Sequence, residues 1–158
     1  SHSMHRPMPF LILLCLLSFC FAAEAATGRV KKVLPHFLDS EGRHTLSPSL
    51  YDRDAYQATL RTNPQRRAGM RFDVHWKTKG PAYEPVRLLL EVRGVAEGRL
   101  PKQIVLEAPA ESGRKWLGRW TGITLSKTNY EYLGEVTAWR VSLWEGNKLL
   151  AEQKSFLW

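Results

Sequence analysis

Two histidines and two carboxylates fall within one short stretch, Pro35-His36-Phe37-Leu38-Asp39-Ser40-Glu41-Gly42-Arg43-His44, with Asp52 and Asp54 close behind. Zinc takes imidazole nitrogens and carboxylate oxygens, whereas calcium takes oxygens. His36, Asp39, Glu41 and His44 are therefore the candidate metal ligands, and a metal-dependent hydrolytic centre is the chemistry they would support. Their spacing matches no established ligand pattern, and Asp39-Ser40-Glu41-Gly42 is a fragment of a calcium loop. A solvated turn accounts for the same residues more simply. Ser40, His44 and Asp52 offer a nucleophile, a base and an orienting acid. However, the sequence contains no Gly-x-Ser-x-Gly, no His-Glu-x-x-His and no phosphate-binding glycine loop. It favours a protein that is not an enzyme and implies no cofactor.

Six tryptophans supply a second kind of chemistry, because aromatic faces stack on sugar rings as readily as they fill cores and interfaces. Trp116 and Trp120 stand among Arg114, Lys115 and Arg119, and Trp144 falls on the opposite side of its segment from Trp139. Trp116, Trp120, Trp144, Arg114, Lys115 and Arg119 are the candidate binding residues, with an acidic glycan as ligand. The competing expectation is that a second layer covers these indoles. The formal net charge of +8 attracts anionic surfaces without choosing among them. No nucleic-acid recognition motif is present.

These residues sit behind a leader. Ser1-His2-Ser3 reads as a vector remnant before Met4, and residues 4–25 read as a signal peptide: Arg6, an apolar run over residues 10–23, then Ala23-Glu24-Ala25 as the cleavage site. The run of about 14 residues is short of the roughly 20 that span a bilayer. Membrane attachment would need the leader retained, or Cys20 lipidated; Phe19 is large for that processing. Both cysteines, Cys15 and Cys20, lie in the leader, so the exported chain would have no disulfide and no thiol nucleophile. A periplasmic or extracellular location follows, and it argues against a nucleic-acid partner.

The remainder divides into 26–69, an N-terminal arm and a short helix packing on a sandwich, and 70–158, the sandwich core. Within the first, residues 29–38 suit a first strand or an extended arm, with Pro35 placing a strand there at a sheet edge, and Ser49 with Asp52 predicts a helix start, ended by Asn63-Pro64. Tyr51, Ala55 and Thr59, flanked by Tyr56 and Leu60, predict its buried stripe. Phe72, Val74 and Trp76 alternate with Arg71, Asp73, His75 and Lys77, and Val86, Leu88, Leu90 and Val92 repeat the pattern after Gly80-Pro81. These two strands are expected to pair. Weaker strand signals cover 102–108 and 114–125, followed by a polar turn at 126–129 and a final hairpin of 135–145 with 148–158. A three-residue loop, Glu145-Gly146-Asn147, sets Leu143 against Leu149 and Val141 against Ala151, with Asn147 left-handed.

This order predicts a mainly β chain: an antiparallel β-sandwich with one short N-terminal helix. The segment Trp139-Arg140-Val141-Ser142-Leu143-Trp144 resembles the last strand pair of immunoglobulin-like and fibronectin-III-like domains. The resemblance implies a fold and no activity. The functional expectation is an exported binding or structural module of the bacterial cell envelope acting through a protein partner, ahead of a carbohydrate-binding domain and of a metal-binding domain.

Overall fold

The computed structural model describes residues 25–109 and 118–158. Residues 4–24 of the expected signal peptide, both cysteines, and Arg114, Lys115 and Trp116 lie outside the described residues.

Strict alternation builds the centre of the first sheet. In β2, Gly69–Lys79, the side chains of Phe72, Val74 and Trp76 are buried, and the intervening residues face outward. Antiparallel to it run β1, Thr27–Leu38, and β5, Arg119–Leu125, giving the order β1-β2-β5. Pro35 thus sits on an edge strand, where its missing N–H breaks no ladder. Of the strand or arm expected over residues 29–38, the structure has the strand, paired along the length of β2.

The second sheet contains β3, Val86–Val95, β4, Lys102–Pro109, β6, Glu135–Glu145, and β7, Lys148–Lys154, in the order β4-β3-β6-β7 and antiparallel throughout. The expected pairing of β2 with β3 does not occur. After Gly80-Pro81 the chain enters the other sheet. Phe72 and Val74 then share one core with Leu88, Leu90, Val92, Val141 and Leu143 across the interior. Each such fully buried side chain contributes roughly 1.5–3 kcal/mol. Two antiparallel sheets around a common core are the architecture.

Two helices lie in connections between strands, in place of one at the N-terminal side. The first, α1, Leu50–Thr62, starts where Ser49 Oγ accepts from the Asp52 amide at 3.4 Å and ends at Asn63, before a 3-10 turn Pro64–Arg66. Its buried residues are Gln57 and the two flanks of the expected stripe, Tyr56 and Leu60, whereas Tyr51 and Ala55 at the stripe's centre are exposed. Polar partners beneath Tyr56 and Gln57 decide that rotation. The second, α2, Lys127–Leu133, replaces the expected polar turn. Ser126 Oγ accepts from the Asn129 amide at 3.2 Å, Leu133 is fully buried, and Gly134 closes the helix at φ 74°.

The last hairpin has a two-residue loop. Glu145 pairs with Lys148, and Gly146, rather than Asn147, takes positive φ, at 53°. A bulge then makes Leu150 the extra residue, so Leu143 faces Ala151 and Val141 faces Gln153. The three-residue loop is therefore replaced by a tight turn plus a bulge. Gly28 of β1 makes room there: a Cβ on it would stand 2.8 Å from Leu143 Cδ2 and 3.0 Å from Leu150 Cβ. Among the described residues, no helix is long and apolar enough to cross a membrane.

Candidate functional site

The loop between β1 and α1 closes over the outer face of the first sheet and creates a polar cluster. Asp39 is its anchor. Asp39 Oδ1 accepts from the amides of Glu41 and Arg43, each at 2.9 Å, and Oδ2 accepts from Arg43 Nε at 3.0 Å and from the Tyr56 hydroxyl. Burial alone would raise this carboxyl, but those hydrogen bonds together outweigh it and hold Asp39 at about 2. The same bond to Asp39, with burial, raises Tyr56. Gln57 ties helix, strand and loop together: Oε1 accepts from the Phe37 amide at 2.7 Å, and Nε2 donates to the carbonyls of Phe37 at 2.9 Å and His44 at 2.8 Å.

Beside this anchor His36 and His44 meet, with ring centroids 5.1 Å apart. His36 Nε2 is 3.4 Å from Asp73 Oδ2, which also accepts from Arg71 Nη2 at 2.9 Å. Arg71 Nη2 lies 3.2 Å from His44 Nε2. A guanidinium only donates, so this His44 nitrogen accepts and the ring proton belongs on Nδ1. Burial lowers His44, and the nearby charges of Arg71 and His36 lower it further. Burial would raise Asp73, but hydrogen bonds from His36 and Arg71 bring it below the usual carboxylate range.

The four residues expected to hold a metal are thus divided. His36 and His44 come together over Asp73 and Arg71, whereas Asp39 serves Tyr56 and Arg43, and exposed Glu41 lies 3.3 Å from Arg43 Nη1. Among the described residues, no group of three or more His, Cys, Asp or Glu side chains could hold a metal ion. Asp73 and Arg71 were not candidates by sequence. Alternation places them on the polar face of β2, but only the pairing of His36 with Arg71 across β1 and β2 brings them to the histidines.

The tryptophans divide as well. Trp120 on β5 is 55% exposed and lies flat on His75, its register partner, with centroids 4.8 Å apart and planes 8° from parallel. Arg119 is next to it, opposite Trp76. Trp144 belongs to the other sheet, half-buried, with Arg87 5.5 Å from its ring centre and its Nε1 donating to Ser142 Oγ at 2.8 Å. Trp120 and Trp144 therefore do not share a patch. Trp76 is buried and donates to Thr121 Oγ1 at 2.9 Å, and half-buried Trp139 meets Phe72 edge-on. Sequence reasoning missed an open cleft of about 430 Å³ lined by Thr27, Gly28, Arg29, Lys31, Lys77 and Lys79. Its signal was Lys77 on the polar side of β2, but the cleft needs the register that sets Arg29 opposite Lys77.

No family model, curated protein or solved structure matches the chain. Function has to be read from this geometry.

Proposed function

We propose that the chain is an exported, immunoglobulin-like binding module of the bacterial cell envelope that engages a protein partner rather than catalysing a reaction. The observation that carries the reading is the apolar display at the start of α1, where Leu46, Leu50 and Tyr51 are 62%, 67% and 82% exposed. Three exposed apolar groups of this size within six residues of one another in the chain suit an interaction site better than apolar residues scattered along it. The turn that presents them is held in place. Thr45 Oγ1 donates to the Ser47 carbonyl at 2.7 Å, Ser47 Oγ donates to Asp52 Oδ2 at 2.5 Å, and Ser49 caps the helix. Holding the display in advance lowers the ordering cost of association. By contrast, the carboxylates of the polar cluster, Asp39 and Asp73, already have protein donors.

A photo-crosslinking residue at Tyr51, with one at Glu97 as control, tests the reading in envelope fractions. The expected outcome is a discrete adduct from position 51 that disappears when Leu46 and Leu50 are changed to serine. Equal labelling from both positions, or none from position 51, would sink it.

A further inference from the structure

The outer face of the first sheet carries a second surface, independent of any protein partner. His75, Lys77 and Lys79 leave β2 at alternate positions and so project from one face. Arg29 lies directly opposite Lys77, Thr27 lies opposite Lys79, and Lys31 is the extra residue of a bulge between Val30 and Lys32. Like charges opposed across a ladder are destabilising. Elsewhere Arg43, Arg53, Arg71, Arg87 and Arg140 each have a carboxylate partner, whereas Arg61, Arg66, Arg67, Arg93 and Arg99 have none among the described residues, so the distinction of this face is the crowding of its cations around one cleft. Among the described residues, Arg29, Lys31, Lys77 and Lys79 have none. Together they line the cleft of about 430 Å³, and no acidic residue lines it. An anionic ligand would relieve the repulsion that the sheet register imposes.

Continuing along the same face, the Trp120–His75 stack presents an exposed flat indole. His75 precedes Lys77 by one alternate position, about 7 Å along a strand. A planar platform followed by paired cations has the layout needed by a chain of sugar rings that carry negative charge. One ring stacks on the indole, and its neighbours place their carboxylates in the cleft.

We propose that this face binds an acidic polysaccharide, with Trp120 as the stacking platform and Arg29, Lys31, Lys77 and Lys79 as the anion-binding groups. The aromatic platform distinguishes this ligand from a bare polyanion, for which charge alone would suffice.

Calorimetry and tryptophan fluorescence on the full chain, with polygalacturonate as probe and dextran, polyphosphate and oligo-dT as comparators, test it. Polygalacturonate is expected to bind saturably and dextran not to bind. The double substitution Lys77→Glu with Lys79→Glu should weaken polygalacturonate at least about tenfold. Trp120→Ala should weaken it by about fivefold, with Trp120→Phe retaining most of the affinity. Unchanged melting temperatures establish that each variant is folded; if the double glutamate variant is not, Lys77→Gln with Lys79→Gln takes its place. The proposal is overturned if polygalacturonate does not bind. It is equally overturned if polyphosphate or oligo-dT binds as tightly and Trp120→Ala has no effect, because charge alone would then explain the association.

Discussion

Replacing Asp39 by alanine would leave two backbone amides, Arg43 Nε and the buried Tyr56 hydroxyl without their acceptor. We expect a loss of about 2–4 kcal/mol in urea unfolding, with Asp39→Asn intermediate. The direction with pH follows from the folded-state shifts. Asp39 falls from 3.8 to about 2 on folding, so its contribution is complete above the unfolded value and disappears as pH drops through the folded one. That contribution is of order 1–2 kcal/mol after allowance for screening, and the lowered Asp73 acts in the same direction. His44, held below 6.5, adds an earlier step: the unfolded chain takes up its proton first, so stability begins to fall as pH drops past that value. Chemical denaturation from pH 8 to pH 2 should show both declines, and Asp39→Ala should flatten the lower one. Part of this cluster was readable in the sequence. The amides of Glu41 and Arg43 are local to Asp39, as a turn requires, but Tyr56 reaches it from the next element, and no spacing rule reveals that donor.

Gly134 carries a similar dependence at the scale of elements. Its φ of 74° ends α2, and a Cβ there would lie 2.6 Å from the Ala96 amide nitrogen and 2.7 Å from the Val95 carbonyl oxygen. These are backbone atoms of Val95 and Ala96, so no flexible side chain is there to give way. Gly134→Ala should therefore cost about 3 kcal/mol or more, seen as a lowered melting temperature. Gly28→Ala, which meets the side chains of Leu143 and Leu150, should cost less, about 1–3 kcal/mol. The strands were legible because alternation reports which side chains face the core, as with Phe72, Val74 and Trp76. Their partition into sheets was not, because alternation says nothing about neighbours. That is why β2 and β3 seemed natural partners. Helix α2 was hidden by its polar opening, Ser126-Lys127-Thr128-Asn129, with Leu133 its one buried residue.

For the whole molecule, one core shared by both sheets predicts a single cooperative unfolding transition. The division of His36, Asp39, Glu41 and His44 among other partners predicts that added zinc or calcium leaves the melting temperature within about a degree of the metal-free value. A rise of several degrees at micromolar metal would restore the ligand set as a functional centre. Function was less legible than fold because it depends on surfaces made by pairing. Lys77 and Arg29 are far apart in the chain, and only the antiparallel register of β1 and β2 turns two ordinary basic residues into one wall of a cleft. The bulges that place Lys31 on β1 and Leu150 on β7 interrupt the two outermost strands bordering the seam between the sheets. A strand with an irregular row of amides and carbonyls is a poor template for a second copy of the chain. Deleting Leu150 would straighten β7 and also remove a side chain that packs on the core beside Gly28, and the expected outcome is a less stable chain that self-associates on concentration, read by light scattering.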